Sequence, residues 1–100
     1  MSTSERAQNE RTSLIEGKLR PLFPNSQAYQ YNEASIRVRV VDRVFEGKSK
    51  SERAKMVSPL LGQVPEEIEG DITLLLLLTP AELAESMMNV EFEHPSPSVL

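Results

Sequence analysis

The chain has 100 residues, 39% of them apolar and only 5% aromatic, which fits one small domain with a mainly aliphatic core. It contains no cysteine, so disulfide staples, thiolate zinc sites and iron–sulfur clusters held by its own thiolates are excluded. The net charge of −4 conceals a sorting: residues 1–36 balance, residues 37–55 carry seven bases against three acids, and residues 56–100 carry eight acids and no base.

The first predicted element is a helix from about Ser4 to Leu22, with an apolar stripe of Leu14, Ile15, Leu19, Leu22 and Phe23. Residues 1–13 lack that stripe and read as a frayed N-terminal extension. Pro21 and Pro24 bracket the helix end. Ala28 to Asn32 reads as a short edge strand with Tyr29 and Tyr31 on one face. Ile36 to Val41 is the clearest strand, since Ile36, Val38 and Val40 alternate with Arg37 and Arg39. The two strands are close enough in sequence to form a hairpin.

Ser49 and Glu52 have capping-box spacing, which predicts a helix from about Lys50 that buries Met56, Val57, Leu60 and Leu61. Pro59 removes a hydrogen bond there and predicts a kink or an early end. Gly62 fits a stop, and Pro65 to Glu69 predicts one short helical turn. Five consecutive leucines favour a helix by propensity, but Gly70-Asp71 and Thr79-Pro80 limit the run to strand length, so Asp71 to Leu78 predicts a buried strand. Thr79 and Glu82 again have capping-box spacing, with Pro80 at the first helical position, and predict a last helix over Pro80 to Met88. The domain then covers 14–88, and residues 89–100 read as a flexible C-terminal tail.

This order predicts an α/β (α+β) fold, α-β-β-α-α-β-α, with a three-stranded mixed sheet and its helices on one face. The long link between the second and third strands makes that pair parallel. The opening residues carry no signal-peptide core, and the apolar run Ile72–Leu78 is too short for a bilayer, so no membrane association and a cytoplasmic location are expected.

Four strings resemble the BolA family in order and spacing. They are Ile15–Pro24 (IEGKLRPLFP), Val40–Lys48 (VVDRVFEGK), Ser51–Leu61 (SERAKMVSPLL) and Ile72–Glu82 (ITLLLLLTPAE). The resemblance implies a fold similar to the type II KH domain and a non-enzymatic adaptor or regulator, tied to stress response or iron–sulfur trafficking. Relatives pair with monothiol glutaredoxins and share a [2Fe–2S] cluster with them, and some bacterial members are described as DNA-binding regulators. One departure matters. The family helix is built around arginine–histidine–arginine, and here Arg53 and Lys55 flank Ala54. A methyl group cannot ligate iron. The second family ligand, a histidine or cysteine in the loop between the first two strands, should fall within Gln30–Ser35, which offers neither. The expectation is no cofactor, with His94 a solvent-facing residue.

The surface expected to meet a partner is the turn and helix start: Phe45, Gly47, Lys48, Lys50, Arg53 and Lys55, with Arg37 and Arg39 as additions. The partner is a protein, with a monothiol glutaredoxin implied by the resemblance, or DNA or RNA in a KH-like alternative that uses the same cations. Gly47-Lys48-Ser49 mimics the end of a phosphate-binding loop, but Asp42 stands where that motif needs glycine. Glu66, Glu67, Glu69 and Asp71 read as a solvated turn, because consecutive carboxylates rarely converge on a metal. Nothing in the sequence points to catalysis. Within the leucine strand one face must pack under the helices. The other is covered by Val90, Phe92 or Leu100 of the tail, or serves as an interface, which leaves monomer and weak homodimer both open.

Overall fold

Alternation in the central strand organises the molecule. In β2 (Ser35–Val41), Ile36, Val38 and Val40 are wholly buried on one face, while Arg37 and Arg39 occupy the other. A slip of one residue would bury two guanidinium groups in the aliphatic core, so the register is strongly specified. The structure, a computed structural model, describes residues 8–98. β1 (Ser26–Asn32) pairs antiparallel with β2 across a short turn, in which Asn32 Oδ1 accepts from the Ala34 amide at 2.9 Å. β3 (Ile72–Leu78) pairs parallel with β2, giving a three-stranded mixed sheet in the order β1-β2-β3.

The core face is covered by α1 (Glu10–Leu19), α2 (Lys50–Leu61) and α3 (Glu66–Glu69). Ile15, Leu19, Val57, Leu61, Val64 and Ile68 pack there against β2, with Leu75 and Leu77 of β3 at its margin. Phe23 and Phe45 stack at 5.7 Å and close one end of this core. α1 is shorter than the periodicity predicts. Asn9 caps it, accepting from the Thr12 amide at 3.0 Å while Thr12 Oγ1 accepts from the Asn9 amide. Residues 10–13 thus form a capped first turn, with Thr12 wholly buried. The expectations for residues 1–7 and for Leu100 lie outside the described residues. Leu14 and Leu22, counted in the predicted stripe, are exposed.

The capping box of α2 forms as expected: Ser49 Oγ accepts from the Glu52 amide at 3.1 Å, and the Glu52 carboxylate accepts from the Ser49 amide at 2.7 Å. These bonds, led by the one from the Ser49 amide, lower the Glu52 pKa. α2 continues through Pro59 to Leu61 and stops at Gly62, where a stop was expected. The short α3 turn also lies where it was expected.

The C-terminal part differs most from the sequence-based expectation. Thr79 and Glu82 do form a capping box, but it starts only a 3-10 turn, Pro80–Glu82. The last helix, α4 (Met87–Glu93), begins at a second cap, where Ser86 Oγ accepts from the Asn89 amide at 3.0 Å. α4 lies on the opposite face of the sheet from the other helices, so the helices are not confined to one face. Residues 89–93, expected in the tail, instead belong to α4, with His94 at its C-cap. Phe92 is buried against Tyr29, with ring centroids 4.9 Å apart, and Tyr29 Oη donates to the Phe92 carbonyl at 2.6 Å. No helix among the described residues is long and apolar enough to cross a membrane.

Candidate functional site

Eight residues were expected to form the contact surface, and seven of them fall into three separate environments. Arg37 and Arg39 lie under α4. Arg37 Nη1 pairs with Glu91 Oε2 at 2.9 Å, and its guanidinium covers the Tyr31 ring at 3.6 Å. Arg39 Nη1 reaches Glu93 Oε2 at 2.7 Å and Asn89 Oδ1 at 2.6 Å, and its Nη2 donates to Gln27 Oε1 at 2.9 Å. The basic face of β2 is thus neutralised from within by part of the acidic C-terminal third. Glu91 is also held by Ser96, whose amide and hydroxyl donate at 2.9 and 2.8 Å. These two bonds, followed by Arg37, lower the Glu91 carboxyl to a pKa of about 2 from its usual 4.5.

Phe45 forms the second environment. It is 0% exposed and belongs to the core, so its side chain lies inside the domain and not on the expected contact surface. Gly47 beside it adopts φ +75°, the left-handed conformation that lets the chain turn from the 3-10 segment Arg43–Phe45 into the α2 cap.

The third environment is an open groove of about 660 Å³ along β3. Its floor is Leu74 to Leu78, and its walls carry Lys48, Lys50 and Ala54 on one side and Glu85, Ser86 and Met88 on the other. Arg53 lies across one end. Its Nε donates to the Lys48 carbonyl and its Nη1 to the Leu77 carbonyl, both at 3.0 Å. The same guanidinium grips Glu82 through both oxygens. Of the eight expected residues, Lys48, Lys50 and Arg53 converge on this groove; Lys55 is exposed on α2 outside its lining. Sequence reasoning missed Ser86, Glu85 and Met88, because it placed them inside a helix beginning at Pro80. The leucine run was the signal for the floor: β3 is an edge strand, so Leu74 to Leu77 are only partly covered.

The groove does not suit a metal cluster. Ala54 contributes a methyl at the position where the resemblance implies a ligand. In the strand loop, Asn32 and Ser35 hold backbone and hydroxyl partners. No group of three His, Asp or Glu side chains placed to hold a metal ion occurs among the described residues. A smaller cavity of about 250 Å³ lies between Gln8, Gln27, Arg39, Phe92 and His94, with the Arg39–Glu93 pair in its wall.

Three solved structures share this architecture. Mouse (Mus musculus) BolA1 in solution is 24% identical, with a TM-score of 0.56 over 85% of this chain and 77% of that one. The BolA domain of SufE1 from Arabidopsis thaliana is 23% identical, with a TM-score of 0.54 over 76% of this chain and 99% of that one. BolA1 from Arabidopsis thaliana is 24% identical, with a TM-score of 0.52 over 75% and 98%. The chain therefore has the BolA fold. No protein-family model matches it, and no curated protein sequence matches it significantly.

Proposed function

We propose that the chain is a BolA-like adaptor that acts through protein contacts at the β3 groove and lends no ligand to a metal cluster. The observation that carries this reading is Ala54 in the groove wall, beside partly covered leucines and the exposed Lys48 and Lys50. An apolar floor with cations on its rim suits a protein surface that presents aliphatic side chains and a carboxylate. Catalysis draws no support from the groove, where the buried guanidinium of Arg53 is committed to Glu82 and two carbonyls. The nucleic-acid alternative relied on a continuous basic face. Arg37, Arg39 and Arg53 are held in internal ion pairs, which weighs against it.

The test is an amide-resolved NMR titration with a monothiol glutaredoxin, with and without its cluster. Docking at the groove shifts Lys48–Ala54, Leu74–Leu78 and Glu85–Met88, and the complex survives added salt. Absence of shifts at high concentration would remove the glutaredoxin reading. A steeply salt-dependent response to DNA or RNA would favour the alternative.

A further inference from the structure

β3 is an edge strand with an open hydrogen-bonding side. Val38 stands opposite Leu75 and Val40 opposite Leu77, and the Asp42 amide donates to the Leu78 carbonyl at 2.9 Å. In a parallel ladder with this register, Leu74, Leu76 and Leu78 direct their backbone groups to β2 and Leu75 and Leu77 direct theirs to the free edge, while Thr73 is the extra residue of the register shift. Among the described residues one side chain answers on that side, Arg53 at the Leu77 carbonyl. Edges are usually protected by a lysine, a proline or a bulge. Ile72–Leu78 contains neither residue, and the one register shift lies at its start, opposite Ile36 and Arg37.

The two ends of this edge differ in charge. Arg53 ties Lys48 to Leu77, so Lys48 and Lys50 stand at the C-terminal end of the strand, exposed and outside the described ion pairs. Glu66, Glu67 and Glu69 are exposed on α3, just before the N-terminal end, and are likewise outside those pairs, whereas Asp71 is held by Arg11. An edge that is basic at one end and acidic at the other is complementary to itself when reversed.

We propose that a second copy of this chain adds to this edge, β3 antiparallel to β3, about a two-fold axis at Leu75. Each Leu75 amide then donates to the Leu75 carbonyl of the other copy. Each pair of lysines meets the acidic turn of the other copy. A parallel arrangement sets lysine against lysine and is disfavoured by that repulsion. The inference goes beyond the docking reading and stands without it, since the protein alone is measured. A second copy covers Lys48 and Lys50, so a docking partner competes with self-association.

The experiment is sedimentation equilibrium up to about 1 mM protein, with amide exchange followed by NMR over the same range. A dimer is expected that weakens with added salt. Protection of the Leu75 amide rises with concentration, while that of Leu76, bonded to β2, stays constant. The reversals K48E/K50E and E67K/E69K, all at exposed sites, each weaken the dimer by about tenfold, and the four together restore it. A protein that stays monomeric throughout the range overturns the proposal. So does a dimer that ignores either reversal, one that the fourfold variant does not rescue, or one that leaves Leu75 unprotected.

Discussion

Arg53 and Glu82 meet in a bidentate ion pair, Nη1 to Oε1 at 2.6 Å and Nη2 to Oε2 at 3.1 Å, which ties the first turn of α2 to the turn after β3. Glu82 closes its own capping box at the same time, accepting from the Thr79 amide at 2.9 Å. The one carboxylate therefore ends β3 and positions the cation at the mouth of the groove. Fork-shaped geometry of this kind is what guanidinium provides and ammonium does not.

The pair makes stability depend on acid. Arg53, followed by the Thr79 amide, lowers the Glu82 carboxyl from its usual 4.5 to about 2. A folded-state pKa below the unfolded value contributes stability that is complete above 4.5 and is lost as pH falls towards about 2. Glu91 adds to the same window with the same sign. Glu82→Gln should lower stability at neutral pH by about 1 kcal/mol, a modest cost because the side chain stays partly exposed. Denaturant titrations across that window should show a flatter acid limb for Glu82→Gln than for the parent. Equal slopes would mean that the pair contributes nothing.

Phe45 carries the sharpest test of a corrected expectation. With 0% exposure and a stacked Phe23 neighbour, Phe45→Ala should cost about 3–5 kcal/mol. Guanidinium unfolding measures it. A surface contact residue would lose partner binding with little change in stability, and that pattern would contradict the buried placement.

What the sequence made legible was local. The β2 alternation, the capping box at Ser49 and the punctuation around the leucine run act within a few residues, and each gave the right element, whereas the box at Thr79 formed but led only into a 3-10 turn. The orientation of the C-terminal segment was not local. Phe92 is an isolated apolar residue in a weakly patterned stretch, and its partner Tyr29 lies 63 residues away. The charge sorting was visible, but not its consequence, that Glu91 and Glu93 would settle on Arg37 and Arg39. Three of the eight expected contact residues reached the groove because the capping box at Ser49 placed them there.

Phe92→Ala tests that long-range packing. Loss of a ring that is 2% exposed and lies against Tyr29 should cost about 3 kcal/mol. Amide protection over Asn89–Glu93 should fall with it. A change within a few tenths of a kcal/mol would return this segment to the status of a loose tail.

Ala54→His tests the missing-ligand argument. Ala54 lines the groove, so an imidazole has room there. The strand loop Gln30–Ser35 still supplies neither histidine nor cysteine. A mixture of the variant with a cluster-loaded monothiol glutaredoxin should therefore retain no more visible cluster absorbance than glutaredoxin alone. A stable new absorbance band would show that one restored ligand suffices.

Two glycines should respond with opposite sign. Beyond the adjoining residues and, for Gly17, the backbone of its own helix, neither Gly17 nor Gly47 has an atom within 4 Å of the place where a Cβ would stand, so sterics do not separate them. Backbone conformation does. Gly47 sits at φ +75°, where an L side chain costs about 1–2 kcal/mol. Gly17 lies exposed within α1, where alanine restricts the unfolded chain and stabilises the helix by about 0.5–1 kcal/mol. Thermal unfolding of Gly47→Ala should therefore shift down and that of Gly17→Ala up. Equal shifts would mean that the turn before α2 relaxes to negative φ, leaving Lys48 and the groove mouth without a fixed position.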